Sequence, residues 1–253
     1  MSKTYDFPFL DQLGLSVIVP VFEEEKAIVP CINKIVKSLD GLTDNNEILI
    51  IDDQSKDKTF ELVINLAKAI NQENKGRIKV FRQKNNRGKG NAIKIGLLYA
   101  TKDIIFIQDA YLEYDPKEIP NLIKPIIRGE ADIVYGSRFL GSIEGMSVLN
   151  YFGNRIITNL TNILYGSKLS DVMTGHKAFK KGIFKHIEIK SSRFLFEIEL
   201  TVKILRKNFR IIEVPINYKR RRTGRSKIKW IDGLKGLIAL VIFRFFNFFI
   251  DLR

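Results

Sequence analysis

Residues 15–21 read LSVIVPV, an unbroken run of mostly β-branched apolar side chains, and Phe22 and a run of glutamates follow at once. An apolar run of this length without polar alternation predicts a strand that is buried on both faces. Residues 27–39 then have helical spacing, and EILII at 47–51 predicts a second buried strand, which ends in Asp52 and Asp53. This order of strand, helix and strand predicts a parallel sheet covered by helices.

The same alternation continues outward along the chain. It predicts an α/β fold with a mostly parallel central sheet and helices on both faces. In such sheets ligands bind beyond the carboxyl ends of the strands, so the residues that follow each strand are the candidates for a site. Further strands are predicted at 78–81, 103–107, 133–135 and 210–214, and further helices at 58–70, 90–100, 150–165 and 196–207.

The composition favours anionic partners. The chain of 253 residues has 42 basic and 28 acidic side chains, which gives a net charge of +14. Such an excess suits phosphorylated substrates or an anionic membrane surface. We expect no nucleic-acid partner, because no recognition motif accompanies the charge. The single cysteine, Cys31, forbids an intrachain disulfide and is typical of a reducing, cytoplasmic environment.

Neither end of the chain has the pattern of a membrane-crossing segment. Residues 1–13 lack the basic and apolar regions of a signal peptide. Near the other end, the longest uncharged stretch is 236–243, which is too short to span a bilayer.

The C-terminal segment has polar residues at helical spacing, namely Arg244, Asn247 and Asp251. This stripe predicts an amphipathic helix that lies on the membrane surface, and a helix packed on the domain's own core is the alternative. We therefore expect a catalytic domain at 1–229 and a membrane-associated helix at 230–253.

Three predicted strands bring carboxylates to one edge of the sheet, through Glu24, Asp53 and Asp109. Clustered carboxylates repel one another unless a cation or hydrogen-bond donors join them. A hard divalent cation takes oxygen ligands and can bridge to a diphosphate. Asp57 and Asp115 have a simpler interpretation, because each precedes a predicted helix and can cap it.

Six motifs follow one another in chain order. They are Pro20-x-Phe22-x-Glu24, Asp52-Asp53-x-Ser55-x-Asp57-x-Thr59, Asn86-x-Gly88-Lys89-Gly90-x-Ala92, Gln108-Asp109-Ala110-x-Leu112-Glu113-Tyr114-Asp115-Pro116, Gly136-Ser137-Arg138 and Asp171-x-x-Thr174-Gly175-His176-Lys177-Ala178-Phe179. Together they resemble glycosyltransferase family 2, which has the GT-A fold, and are similar to its dolichyl- or polyprenyl-phosphate mannosyl- and glucosyltransferase branch. The resemblance covers residues 15–230 approximately.

The resemblance implies a nucleotide-sugar donor, GDP-mannose or UDP-glucose. It assigns the pocket for the base and ribose to Pro20, Phe22, Glu24 and Asp53, and it adds Lys89 from the glycine-rich turn to the same pocket.

The resemblance also implies Mg²⁺ or Mn²⁺, with Asp109 and Glu113 as its ligands. The chain departs from the family at this point, because Tyr111 stands where the family has a second aspartate. A neutral phenol with a pKa of about 10 is a poor ligand for either ion. Two milder departures are Glu23 in place of the usual asparagine and Gln54 in place of the usual glycine.

Basic residues are expected to neutralise the acceptor phosphate and the leaving diphosphate together. The resemblance assigns this role to the stretch that contains Arg222 and Lys227, in which arginine forks match phosphate oxygens. A solvated basic loop, or one attracted to anionic lipid, is the alternative.

The expected catalytic residues are Asp109, Asp171 and Arg138. Asp171 would orient the acceptor or the sugar, since a phosphate acceptor is already ionised and needs no general base. His176 could bind phosphate or serve as a structural imidazole. Glu197 and Glu199 lie two apart on a predicted helix, so at most one of them faces the site.

The expected function is transfer of a hexose, mannose or glucose, to a polyprenyl or dolichyl phosphate at the cytoplasmic face of a membrane. Two alternatives remain open. The acceptor could be a hydroxyl of a glycan or glycolipid, or the chain could be a scaffold that binds nucleotide-sugar or membrane and has lost its metal site.

Overall fold

The computed structural model describes residues 13–73, 77–221 and 230–246. Within these ranges seven strands form one sheet. In chain order they are β1 Leu15–Val21, β2 Asn46–Asp52, β3 Ile78–Arg82, β4 Ile104–Ile107, β5 Ile133–Glu144, β6 Lys177–Lys180 and β7 Ile211–Lys219. Their order across the sheet is β3-β2-β1-β4-β6-β5-β7.

Helices cover both faces of this sheet, which confirms the predicted α/β class. Helices α1, α2 and α4 pack on one face, and α3 and α6 pack on the other. The helices are α1 Ile28–Leu39, α2 Thr59–Glu73, α3 Lys89–Tyr99, α4 Ile119–Ile127, α5 Val148–Tyr165, α6 Leu195–Arg206 and α7 Trp230–Phe245.

Strand β1 is central to the fold, as its sequence predicts. It pairs in parallel with β2 on one side and with β4 on the other, and all seven of its residues are buried. Val17 and Val19 face the helices of one layer, whereas Ile18 faces those of the other layer. Two-sided burial explains why the run has no polar alternation.

Strand β6 was not predicted from the sequence, and it sets the geometry of the site. It lies between β4 and β5 and is antiparallel to both, with Lys177 opposite Ile107 at the end of β4. The first residue of β6 therefore lies at the same edge as the carboxyl ends of the parallel strands. This arrangement brings the preceding turn, with Asp171 and His176, to that edge.

Strand β5 is longer than the segment 133–135 that its sequence predicts. After an irregularity between Ser137 and Ser142, it continues in parallel pairing with β7 as far as Glu144. This extension brings the end of β7, and Arg221 beyond it, to the carboxyl edge.

Helix α7 contributes to a third apolar cluster together with α5 and α6. Its inner residues Leu240 and Phe243 are buried against Ile198 and Val202 of α6. Its outer face is also apolar, because Leu234 and Ile238 are nearly half exposed. No helix in the described part of the chain is long and apolar enough to cross a membrane.

The structure thus contains both features that the sequence left as alternatives for this segment, a face packed on the domain and an exposed face. Asn247 and Asp251 of the expected polar stripe lie outside the described residues.

Candidate active site

Asp109, directly after β4, accepts hydrogen bonds from two side chains. Lys89 Nζ, at the start of α3, lies 2.7 Å from Asp109 Oδ1. The Tyr111 hydroxyl donates to Asp109 Oδ2 at 2.9 Å. Gly175 packs on the same carboxylate so closely that a Cβ there would lie 2.2 Å from Oδ2. Both oxygens of the predicted metal ligand are therefore engaged by side chains of this chain.

Lys89 joins this carboxylate to a second one on α6. Its Nζ lies 2.9 Å from Glu197 Oε1, and the buried Lys177 pairs with the other oxygen of Glu197. Burial opposes ionisation of Glu197, but the charges of Lys177 and Lys89 lower its pKa to about 2. Glu199 instead accepts hydrogen bonds from the backbone of 190 and 191, which confirms that only one of the two glutamates faces the site.

Arg221, after β7, holds Glu113, the other predicted metal ligand. Its Nε donates to Glu113 Oε1 at 2.8 Å, and its Nη1 lies 3.6 Å from Glu24 Oε1. The guanidinium lies over the ring of Tyr111, with 3.8 Å between the guanidinium carbon and the ring centroid. Tyr111 thus connects the ion pair of Asp109 with that of Glu113.

These contacts decide whether the residues present suit a divalent ion. Burial and the adjacent charge of Asp109 raise the pKa of the Tyr111 phenol well above its ordinary value of 10, so the phenol stays neutral. In residues 13–73, 77–221 and 230–246, no three His, Cys, Asp or Glu side chains are grouped as a metal site requires. The donor set does not fit the ion, because each of the two carboxylates is already paired with a cation. These contacts therefore do not support the prediction of Mg²⁺ or Mn²⁺ at Asp109 and Glu113.

Arg138 and Asp171 form a buried pair beside this cluster. Arg138 donates from Nε and Nη2 to the two oxygens of Asp171, at 2.6 and 2.7 Å, and its backbone N–H adds a third hydrogen bond at 3.1 Å. The exposed fractions of the two side chains are 7% and 0%. A carboxylate held in this way is shaped for positioning and is poorly placed to accept a proton from a substrate.

His176 is a structural imidazole in this geometry. Its Nε2 lies 2.9 Å from Gln108 Oε1, and the amide nitrogen of Gln108 donates to the carbonyl oxygen of Asp109. Nε2 must then carry the proton. Burial, together with the nearby charge of Lys89, lowers the pKa of His176 to about 3. A neutral, fully buried ring does not bind phosphate, which resolves the alternative that the sequence left open.

Asp53 holds the glycine-rich turn in place. It accepts hydrogen bonds from the backbone N–H groups of Arg87 and Gly88, at 2.8 and 2.7 Å, and from Gln83 Nε2 at 2.7 Å. The turn needs a glycine, because Gly88 has a φ of +89° and a Cβ there would strike Arg193. In this structure Asp53 therefore acts on the turn that presents Lys89.

A cleft of about 730 Å³ lies beyond the ends of β1, β2 and β3. Phe22 lines it, while the described lining does not include Pro20, Glu24 or Asp53, all of which are buried. Lys89 also lies outside the lining, three residues beyond Asn86, which belongs to it.

Phe60 and Arg82 are among the side chains of this cleft that sequence reasoning missed. The Arg82 guanidinium stacks on the Phe60 ring, 4.4 Å from its centroid, and Arg82 Nε lies 3.1 Å from Asp52 Oδ2. The sequence could have indicated Arg82 as a site residue, because this arginine lies directly at the carboxyl end of the third strand.

The two milder departures from the family pattern also border the cleft. Glu23 and Gln54 have φ values of 51° and 62°, in the left-handed region. Asparagine and glycine, which the family has at these positions, adopt that region at lower cost.

Both predicted capping residues do cap. Asp57 accepts from the backbone N–H of Thr59 at 3.0 Å, and Asp115 accepts from that of Lys117 at 3.2 Å. The predicted phosphate-binding residues Arg222 and Lys227 lie outside the described residues.

Comparison with known proteins gives one family match. The model of glycosyl transferase family 2 matches residues 16–188. Dolichol-phosphate mannosyltransferase from Pyrococcus furiosus is 30% identical over 224 residues, which are 86% of this chain and 60% of that protein. A hexosyltransferase of low-salt glycan biosynthesis from Haloferax volcanii is 29% identical over 231 residues, which are 90% of this chain and 53% of that protein. The chain therefore spans little more than half the length of these two relatives.

Solved structures of similar fold include glucosyl-3-phosphoglycerate synthase from Mycobacterium tuberculosis in complex with Mn²⁺, uridine-diphosphate-glucose and phosphoglyceric acid. It has a TM-score of 0.73 and 19% sequence identity, and the match covers 96% of this chain and 85% of that one. The similarity confirms the predicted GT-A fold.

Proposed function

This chain belongs to glycosyltransferase family 2, and we propose that it transfers a hexose from a nucleotide-sugar to a polyprenyl or dolichyl phosphate at a membrane surface. The observation that carries the proposal is the convergence of three cationic side chains, Lys89, Arg138 and Arg221, beside a cleft large enough for a nucleotide. Both the donor and the acceptor of this reaction carry phosphate at the reacting centre.

The cleft at the ends of β1–β3 is the proposed donor site. Phe22 and Phe60 offer apolar surface to a base, and Arg82 offers a cation. Two segments of the chain lead from this cleft to the charged side chains around Asp109, one through Glu24 and the other through Lys89. A nucleotide in the cleft would therefore extend its diphosphate towards Asp109. GDP-mannose and UDP-glucose remain the proposed donors.

The proposed reaction is a direct displacement. An oxygen of the acceptor phosphate attacks the anomeric carbon, the bond from that carbon to the diphosphate breaks, and the nucleoside diphosphate leaves with inversion. The acceptor is already ionised, so no side chain has to remove a proton from it. This agrees with the arrangement of Asp171, whose oxygens are both held by Arg138.

Helices α5 and α7 supply the proposed contact with the membrane. Their outward apolar side chains recur at helical spacing and are 38–78% exposed: Val148, Leu149, Phe152, Ile156 and Ile163 on α5, and Ile231, Leu234, Ile238, Val241 and Phe245 on α7. An exposed apolar face on a protein of net charge +14 suits a bilayer with anionic headgroups. The protein would contact the cytoplasmic face of the membrane, in line with its single cysteine.

The activity is tested with the purified chain, radiolabelled GDP-mannose or UDP-glucose, and polyprenyl phosphate in detergent. We expect a lipid-soluble product that mild acid cleaves, as a sugar linked to phosphate must be. Arg221→Gln should lower the rate at least about tenfold by removing about 1.4 kcal/mol of stabilisation from the transition state. Arg128→Gln is the control, because Arg128 is exposed at the opposite edge of the sheet.

Other outcomes of this assay would separate the alternatives. An acid-stable product on a glycan or glycolipid would indicate a hydroxyl acceptor. Nucleotide binding without any transfer would indicate a scaffold and would refute the proposed reaction.

Membrane association is tested by sedimentation with vesicles of anionic and of neutral lipid. Replacement of Leu234 and Ile238 by serine should reduce binding to the anionic vesicles. Leu98→Ser, which alters an equally apolar side chain that is 77% exposed on α3, should not. Equal binding by both variants would contradict the assignment of this face.

A further inference from the structure

Two cationic side chains of this protein pair with the two carboxylates at the end of β4. Lys89 Nζ lies 2.7 Å from Asp109, and Arg221 Nε lies 2.8 Å from Glu113. These are the two carboxylates that family resemblance assigns to the metal. A lysine and an arginine together supply the same formal charge as one divalent ion.

Tyr111 makes this arrangement compatible with a stable site. Its hydroxyl donates to Asp109 at 2.9 Å, and its ring lies under the guanidinium of Arg221 at 3.8 Å. An aspartate at this position would add a negative charge and would remove the surface on which Arg221 stacks. The residue that departs from the family pattern therefore contacts Arg221 directly and is joined to Lys89 through Asp109.

Both cations can also reach a ligand. The side chain of Lys89 is 31% exposed, although it pairs with Asp109 and with Glu197. That of Arg221 is 14% exposed; its Nε donates to Glu113, and its Nη1 lies 3.6 Å from Glu24. A guanidinium has five N–H donors, so Arg221 can keep this bond and still donate to phosphate oxygens.

We propose that Lys89 and Arg221 take the place of the divalent metal ion in this chain, so that the nucleoside diphosphate is bound and released without metal. The inference rests on the proposed function, because it concerns the diphosphate of the same donor. It differs from the family pattern in a single testable respect. The charge that builds on the leaving diphosphate is neutralised by N–H donors of the protein.

Calorimetric titration of the full chain with GDP and with UDP tests this, once in excess EDTA and once in excess Mn²⁺. We expect equal affinities in the two conditions for the nucleotide that binds. Lys89→Gln and Arg221→Gln should each weaken binding at least about tenfold, which is about 1.4 kcal/mol. Lys94→Gln is the matched control, because Lys94 lies on the same helix and donates to the carbonyl oxygen of Lys190 instead.

A second variant keeps the test decisive if the two glutamine variants fold poorly. Tyr111→Asp should create a dependence on Mn²⁺ that the natural chain lacks. Electron paramagnetic resonance of free Mn²⁺ should then show ion binding to the variant with nucleotide, and none to the natural chain beyond that of the nucleotide alone.

The outcomes separate this inference from the function on which it rests. A nucleotide affinity or a transfer rate that falls at least about tenfold in EDTA would overturn the inference and leave the glycosyltransferase function intact. Absence of GDP and UDP binding in both conditions would overturn the two together. Equal affinity in both conditions, with ion binding gained by Tyr111→Asp, would support the inference.

Discussion

The pairing of Arg138 with Asp171 predicts a large loss of stability when either partner is changed alone. In Asp171→Asn the side chain keeps its shape but loses the charge that compensates a guanidinium with 7% exposure. In the natural chain, three N–H groups of Arg138 donate to the Asp171 carboxylate. In the variant, one of the two carboxylate oxygens is replaced by an amide nitrogen, which repels these donors. Removal of one partner of such a buried pair costs about 3–5 kcal/mol. We expect about 3 kcal/mol for this conservative change.

A double-mutant cycle isolates the interaction from other effects of the substitutions. Arg138→Met leaves the carboxylate buried with a single backbone donor, so it should also cost about 3 kcal/mol or more. The double variant buries no unpaired charge, and its cost should fall below the sum of the two by about 2–3 kcal/mol. The exposed pair of Arg128 and Glu130, 3.9 Å apart, is the control, and its coupling should stay below about 1 kcal/mol.

Urea unfolding followed by circular dichroism measures these differences, and the transfer assay supplies a second measurement. If Asp171 positions Arg138, either single variant should impair transfer, and the double variant should be no worse than the more impaired single one. A cost below about 1 kcal/mol for Asp171→Asn, or costs that simply add, would refute the reasoning. Abolished transfer in Asp171→Asn alone, with near-normal transfer in Arg138→Met, would instead identify Asp171 as a general base.

Three further predictions follow from single positions. Gly175→Ala should cost about 1–3 kcal/mol in urea unfolding and impair transfer, because its Cβ would meet Asp109 Oδ2 at 2.2 Å. The unfolded chain protonates His176 below pH 6.5, whereas the folded chain does not until about pH 3. The free energy of unfolding should therefore fall by about 1.4 kcal/mol for each unit by which the pH is lowered through this window. That part of the pH dependence should vanish in His176→Gln and persist in His186→Gln, where the ring is exposed. Gln54→Gly should raise the unfolding free energy by about 1 kcal/mol, since it relieves a φ of 62°.

Each of these predictions has a result that would contradict it. Gly182 has open space around it, so Gly182→Ala should be neutral, and an equal cost at 175 and 182 would remove the steric argument. An unchanged pH profile in His176→Gln would mean that folding does not lower the pKa of this ring. A less stable Gln54→Gly would mean that contacts of the glutamine outweigh its backbone strain.

The sequence predicted the parallel half of the fold because the information there is local. Strands β1 to β4 are short apolar runs followed by turns and helices, and each predicted strand is present. Strand β6 was missed because a four-residue segment with lysine at both ends has no strand pattern of its own. Its pairing depends on β4 and β5, which lie far from it in the chain.

The sequence named several residues of the charged cluster but none of their pairings. Asp109 and Lys89 follow from motif positions, yet the contact between them depends on how α3 meets the end of β4. The bond between Arg221 and Glu113 joins residues that are 108 apart in sequence. Such pairings are set by the packing of whole elements, and a motif names the residues without their partners.

Helix α6 is covered on both sides, and this limits how the protein can be shortened. One side, with Phe196 and Leu200, packs on the sheet, and the other, with Ile198 and Val202, packs under α7. A chain truncated after residue 229 would expose that second side to water as a hydrophobic patch that favours aggregation. Truncated variants for crystallisation or for large-scale expression should therefore keep the helix that begins at 230, even though it follows the domain boundary that the sequence predicts.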